Sequence, residues 1–328
     1  MQKVTLGNSD LQISRIGFGC MGMSEFYGDT GTEAKNIALI HKAIELGVNF
    51  LDTADIYGPF HNERLVGKAI KDRREELVIA TKFGIMRSEE GGFLGINGRP
   101  EYVRKACEDS LKRLDIEVID LYYQHRKDPQ VAIEETVGAM ADLVKEGKVR
   151  YLGLSEIGTT NLRKAHLVHP ISAVQSEYSI WSTDIEAEVI PACDDLGITL
   201  VAYSPLGRGF LTGQIKKVED LAADDYRRYS PRFLGENFQK NLDLVAEVEA
   251  IAANKGVKTA QIAIAWVLSK GENIVPIPGT KKEKYLIDNV NSVNVVLSES
   301  ELEKLNQLSR EVKGGRYDDR GMGLINAS

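Results

Sequence analysis

The chain has 328 residues, 43% hydrophobic and 27% charged, a balance that supports a large packed core and excludes a disordered chain. A formal net charge of −7 argues against a nucleic-acid-binding protein, which would carry a basic face. Its three cysteines, Cys20, Cys107 and Cys193, are far apart and form no CxxC pair, so neither a disulfide framework nor a metal site is expected.

Reduced cysteines fit a cytoplasmic protein. Residues 1–10 lack the apolar core of a signal peptide. No apolar run approaches the ~18 residues of a membrane span.

Short β-branched runs alternate with helical patterns. Residues 4–14 alternate weakly around Gly7-Asn8 and read as a hairpin closing a barrel floor. A first strand covers 16–19. Thr32 caps a helix with Ile37, Ile40 and Ile44 at helical spacing, ended by Gly47. Strands are expected at 49–53, 77–81, 118–122, 149–154, 173–175, 198–203 and 274–277. Helices are expected at 62–70, 100–113, along Ile133, Val137, Met140 and Val144, and at 161–168, 185–196, 241–253 and 259–269. Two further helices, 284–290 and 298–310, finish the chain. Eight strands with helices between them predict a parallel α/β sheet closed as a (β/α)8 TIM barrel, one domain over 1–328. The segment 204–240 is too long for a plain connection.

Gly17-Phe-Gly19-Cys-Met-Gly22 matches the G-x-G-x-x-G dinucleotide fingerprint. That fingerprint needs a helix opening at its last glycine, whereas the helix here starts near Thr32. The glycines read as a turn at a strand end.

Active residues of such barrels sit at the C-terminal ends of strands. The second strand ends in Asp52, with Tyr57 in the following loop; the third ends in Thr81-Lys82; the fourth in Gln124-His125-Arg126. Three consecutive strands thus deliver a carboxylate, a phenol, an ammonium and an imidazole to one rim.

At these positions the chain resembles the aldo-keto reductase family, whose tetrad is Asp, Tyr, Lys and His in this order. The resemblance extends through Gly153-Leu-Ser-Glu156, Gln175-Ser-Glu-Tyr178, Ala202-Tyr-Ser-Pro-Leu-Gly207 and Ile277-Pro-Gly-Thr280. The branch it resembles is that of the monomer-sized bacterial and plant reductases. It implies an NADPH-dependent reductase of aldehydes or ketones, acting on a small-molecule carbonyl or alcohol. The chemistry agrees. Hydride addition to a carbonyl carbon leaves charge on oxygen, which needs a proton. A phenol, with a pKa of about 10, is a poor acid until an ammonium stabilises its anion. Lys82 is expected to do this for Tyr57, Asp52 to hold Lys82, and His125 to orient the carbonyl.

The resemblance also implies an NADP(H) site. Tyr203 matches the ring that stacks on the nicotinamide. Ser155, Gln175 and Glu156 match its carboxamide ligands, although Glu156 stands where the wider family has asparagine. Ser204, Leu206, Gly207 and Arg208 fall in its pyrophosphate loop. Asp288 and Asn289 match the pair that reads adenine. Independently, Lys281, Lys282 and Lys284 gather at a helix start, against the macrodipole preference, and a bound anion would explain them. The family places the 2′-phosphate there, on Gly279, Thr280, Lys281 and Lys282.

Two other readings stand beside this one. A regulatory subunit that senses NADPH would use the same residues with little turnover. A glycoside hydrolase would use Asp52, Asp55 and Glu63, but leaves Tyr57, Lys82 and the lysines unexplained.

Overall fold

The structure, a computed structural model, describes residues 1–88, 90–323 and 325. Eight strands make one parallel sheet: β1 (Phe18–Gly19), β2 (Phe50–Asp52), β3 (Val78–Phe83), β4 (Ile119–Gln124), β5 (Val149–Ser155), β6 (Ile171–Glu177), β7 (Thr199–Tyr203) and β8 (Ile274–Pro276). Each pairs with its sequence neighbours. The two edges meet where the Gly17 N–H donates to the Pro276 carbonyl at 3.0 Å, completing the (β/α)8 barrel.

The strands sort their side chains by parity. Phe50, Val78, Ala80, Leu121, Tyr123, Ala173, Val201 and Val275 pack inside the barrel with Leu6, Leu11 and Ile13. Leu51, Ile79, Tyr122, Leu152, Val174, Leu200 and Ile274 pack outward against the helices. The residues that plug the floor belong to the expected hairpin, Lys3–Thr5 paired antiparallel with Gln12–Ser14. At Gly153 a Cβ would come within 2.4 Å of the Tyr123 ring, so only glycine leaves room for that ring inside the barrel.

Helices α1 (Glu33–Glu45), α2 (His61–Ile70), α3 (Pro100–Leu114), α4 (Ile133–Lys145), α5 (Thr159–Val168) and α6 (Val189–Leu196) each follow one strand. Between β7 and β8 lie two, α7 (Gly235–Lys255) and α8 (Thr259–Leu268), and α9 (Glu283–Asn291) and α10 (Glu299–Ser309) end the pattern. Thr32 caps α1 by accepting from the Lys35 N–H. The glycine-rich stretch 17–22 leads only into the short 3-10 turn Met21–Met23, and the first long helix opens at Glu33.

Three expectations shift. The helix expected over 185–196 is a 3-10 turn, Asp184–Glu186, and then α6. Glu188 has non-helical angles (φ −133°), and Pro191, lacking an N–H, is tolerated only in a first turn. Helix α7 starts at Gly235, six residues before the expected start at 241. A second hairpin, Ile85–Arg87 with Phe93–Ile96, follows β3. Among the described residues, no helix is long and apolar enough to cross a membrane.

Candidate active site

Strand parity carries the candidate residues to one place. Asp52 continues the inward series of Phe50, Lys82 that of Val78 and Ala80, and His125 that of Leu121 and Tyr123. Ser155, Gln175 and Tyr203 do the same for β5, β6 and β7. Six side chains therefore face the barrel axis at its C-terminal end.

Their contacts form one buried network. Lys82 is fully buried, and its Nζ donates to Asp52 Oδ1 at 2.5 Å, to the Thr53 carbonyl at 2.7 Å and to Tyr57 Oη at 3.2 Å. Those three bonds use all its donors. The other Asp52 oxygen accepts from Gln175 Nε2 at 2.7 Å. The rings of Tyr57 and His125 meet edge-on with centroids 6.0 Å apart. His125 Nδ1 is buried without a hydrogen-bond partner among the described residues.

The charges follow. Burial lowers the affinity of Lys82 for its proton, but Asp52 and Tyr57 outweigh it, and the group is held above its ordinary range as an ammonium. Burial raises the Tyr57 phenol above its usual 10.0, and the Lys82 cation opposes that rise. The phenol is thus a protonated donor at neutral pH, not one already lowered by Lys82. Burial, with the positive charges of Arg126 and Lys82, pushes His125 well below its ordinary value, so its imidazole is neutral.

The remaining candidates are more varied. The Ser155 hydroxyl accepts from Arg126 Nη1 at 3.3 Å. Both carboxylate oxygens of Glu156 are engaged: they pair with the Arg316 guanidinium at 3.0 and 3.2 Å, and one also accepts from the Glu177 N–H at 2.9 Å. Sequence reasoning missed this partner. The Tyr203 hydroxyl meets the Tyr317 hydroxyl at 2.9 Å, so the segment carrying Arg316 and Tyr317 lies against the mouth.

After β7 the chain turns sharply. Ser204, Gly207, Arg208 and Gly209 all have positive φ, and Leu206 precedes the turn. Strain of this kind gathers at functional sites. Arg208 is not a solvated charge. Its Nη2 bonds Glu177 at 3.0 Å, Tyr226 and Tyr317 lie 5.6 and 4.5 Å from its carbon, and its Nη1 is buried without an acceptor among the described residues.

Beyond β8, Gly279 backs onto Gly19: a Cβ there would sit 2.7 Å from the Gly19 carbonyl. Thr280 Oγ1 accepts from the Lys282 N–H at 3.2 Å, just before α9. The Lys281 ammonium is bound to the carbonyls of Tyr27 and Asp29, both at 2.6 Å. The Lys282 and Lys284 ammoniums lie over the Tyr285 ring, and Asp288 and Asn289 follow on α9. The long segment after β7 reaches the loop after β1, where the Tyr226 N–H donates to the Phe26 carbonyl and Arg227 stacks on Tyr27.

Comparisons with known proteins bear on the family and the fold. The model of the aldo/keto reductase family matches residues 15–310. A probable aldo-keto reductase 1 of Glycine max is 49% identical over 322 residues, 97% of this chain and 92% of that protein. Among solved structures, the glycerol dehydrogenase AKR11B4 from Gluconobacter oxydans superposes with a TM-score of 0.87 at 28% identity, covering 95% of this chain and 97% of that one. The thermostable aldo-keto reductase Tm1743, solved with the inhibitor epalrestat, gives 0.76 at 32% identity over 94% and 100%. The holo form of the aldo-keto reductase AKR11C1 from Bacillus halodurans gives 0.75 at 28% over 97% and 99%. The chain belongs to the aldo/keto reductase family and is an oxidoreductase of that kind.

Proposed function

We propose that this oxidoreductase is an NADPH-dependent carbonyl reductase, acting as one barrel domain over 1–328, in which Tyr57 protonates the substrate oxygen. The observation that carries the reading is the chain of contacts Gln175–Asp52–Lys82–Tyr57, buried beside a neutral His125.

Two features fit a phosphate-bearing nicotinamide dinucleotide. The buried Nη1 of Arg208 lacks an acceptor, and Lys281, Lys282 and Lys284 stand at the start of α9 with no carboxylate partner among the described residues. Ser155, Gln175 and Tyr203 would hold the nicotinamide end, and Ser204, Leu206, Gly207 and Arg208 the pyrophosphate. Gly279, Thr280, Lys281 and Lys282 would hold the 2′-phosphate, and Asp288 and Asn289 the adenine. Glu156, with both oxygens engaged by Arg316, is better read as a brace for the mouth than as a carboxamide ligand. When bound, the reduced nicotinamide supplies the hydride.

The chain's own residues handle the proton and the orientation. Tyr57 donates its hydroxyl proton as charge develops on the carbonyl oxygen. Lys82 stabilises the resulting phenolate, and Asp52 keeps Lys82 charged and aimed. The neutral His125 presents a ring nitrogen that positions the carbonyl without adding charge. With alcohol as substrate, the Tyr57 phenolate takes the proton back.

The test is NADPH oxidation against a panel of aldehydes and ketones, with Tyr57→Phe alongside. The variant keeps cofactor binding and loses turnover by at least about two orders of magnitude. Equal rates in the two proteins refute Tyr57 as the donor.

A further inference from the structure

This inference rests on Tyr57 as the proton donor and concerns which carbonyl compound reaches it. Arg126 follows His125 at the end of β4. Its Nη1 donates to the His125 carbonyl at 2.7 Å and to Ser155 Oγ at 3.3 Å, so the guanidinium spans the ends of β4 and β5 inside the mouth. Burial disfavours its charge, and the polar groups of Tyr203, Tyr317, Glu156 and Tyr57 around it favour it. It acts in turn on Tyr57 and His125.

Several other cations of the mouth are matched by carboxylates, whereas Lys281, Lys282 and Lys284 at the start of α9 are not, among the described residues. Lys82 has Asp52, Arg87 has Glu25, Arg208 and Arg232 share Glu177, Arg227 has Asp225, and Arg316 has Glu156. Arg126 pairs with no carboxylate among the described residues, and its Nε and Nη2 donate to none of them. The acid that biases it, Glu156, is already neutralised by Arg316. Arg126 is half-buried, with Nε and Nη2 open to the mouth, and a guanidinium fork presented in this way fits a carboxylate through two parallel bonds.

We propose that Arg126 receives a carboxylate carried by the substrate itself, so that the protein favours oxo acids, reduced to hydroxy acids, over neutral carbonyl compounds. The carboxylate is unchanged in the reaction. The carbonyl takes the hydride on carbon and the Tyr57 proton on oxygen.

The experiment compares matched pairs: 4-carboxybenzaldehyde with benzaldehyde, and 4-oxobutanoate with butanal, each with NADPH. Wild type is expected to favour the acid of each pair by at least about tenfold in kcat/KM, the scale of one hydrogen bond to a charged group. That preference falls as salt is raised. Arg126→Gln abolishes it chiefly through KM, and Arg126→Lys, which keeps the charge, retains part of it and remains informative if the glutamine variant does not fold. NADPH affinity, read by quenching of protein fluorescence, is measured in parallel. Two results overturn the inference while leaving the reductase reading intact: wild type without preference, or Arg126→Gln lowering both members of a pair equally with weaker NADPH binding. In the second case the guanidinium serves the cofactor. No turnover of any of the four compounds overturns both.

Discussion

Glu25 and Arg87 grip the Tyr57 loop from both flanks. Their side chains pair through two bonds of 2.5 and 2.6 Å. Arg87 also donates to the carbonyl of Ile56 at 2.9 Å, and Glu25 accepts from the N–H of Gly58 at 2.9 Å. The residues on either side of Tyr57 are thus tied to one ion pair, which also joins the hairpin after β3 to the loop after β1. Small misplacements of a reacting group are costly, so Glu25→Gln or Arg87→Gln is expected to lower kcat about tenfold while leaving NADPH affinity unchanged. A double-mutant cycle on kcat should show strong coupling between the two. Additive effects would mean that they act separately.

The Lys82 ammonium and the Asp52 carboxylate depend on one another. Lys82→Met removes the cation that opposes the burial of the phenol, so the Tyr57 pKa moves further up and the proton is released less readily. Turnover should fall by about two orders of magnitude or more. Asp52 is left buried with Gln175 alone, and denaturant unfolding should show a loss of about 3 kcal/mol. The double variant Asp52→Asn, Lys82→Met should recover part of the stability and none of the activity.

Glu177 anchors the far side of the mouth. It is fully buried, bonds Arg208 at 3.0 Å and Arg232 at 3.2 Å, and accepts from Ser182 at 2.7 Å. Burial raises its pKa, yet the nearby arginines outweigh it and the folded value lies below the usual 4.5. A carboxylate depressed on folding contributes stability above its unfolded pKa and loses it as the pH falls through the folded value. Glu177→Gln should destabilise by about 3 kcal/mol at pH 7. Its stability curve should also be flatter than that of wild type below pH ~4.5. Parallel curves would locate the acid sensitivity elsewhere.

His125 titrates in the opposite sense. Its folded pKa lies well below 6.5, so the unfolded chain takes up a proton first as the pH drops. Stability contributed by the neutral ring is complete above about pH 6.5 and declines below it. NMR titration should find the ring neutral at pH 6, and His125→Gln should remove that part of the acid slope.

The barrel, and the meeting of Asp52, Tyr57, Lys82 and His125 at one rim, were legible because both are written locally. Alternating runs mark the strands, and the residue types at the strand ends name the chemistry. Asp52, Lys82 and His125 needed only parity to meet. What escaped depends on contacts between distant segments. Glu156 matches a carboxamide ligand by position until Arg316, 160 residues on, is seen against it. Arg208 was expected in the pyrophosphate loop, but its burial against Glu177 and two tyrosine rings was not. The hairpin over 85–96 was hidden by Gly91, Gly92 and Gly95, which depress strand propensity, although Gly91 and Gly95 supply the positive φ it uses. The first turns of α7 were missed because their sequence, beginning at Gly235, is mostly polar. Burial, not charge, sets the direction of the Tyr57 shift, and no pattern of residue types reveals how dry a site is.

The Lys281 ammonium already has two carbonyl partners, from Tyr27 and Asp29. A phosphate arriving there, as proposed, would replace bonds instead of filling a void, and the loop after β1 would lose its tether as the ligand gained one. On the proposed assignment of this site to the 2′-phosphate, discrimination between the two nicotinamide dinucleotides would be a difference between competing contacts. Lys281→Ala would free the loop and weaken the phosphate at once, so loading and release should quicken together even as equilibrium selectivity declines.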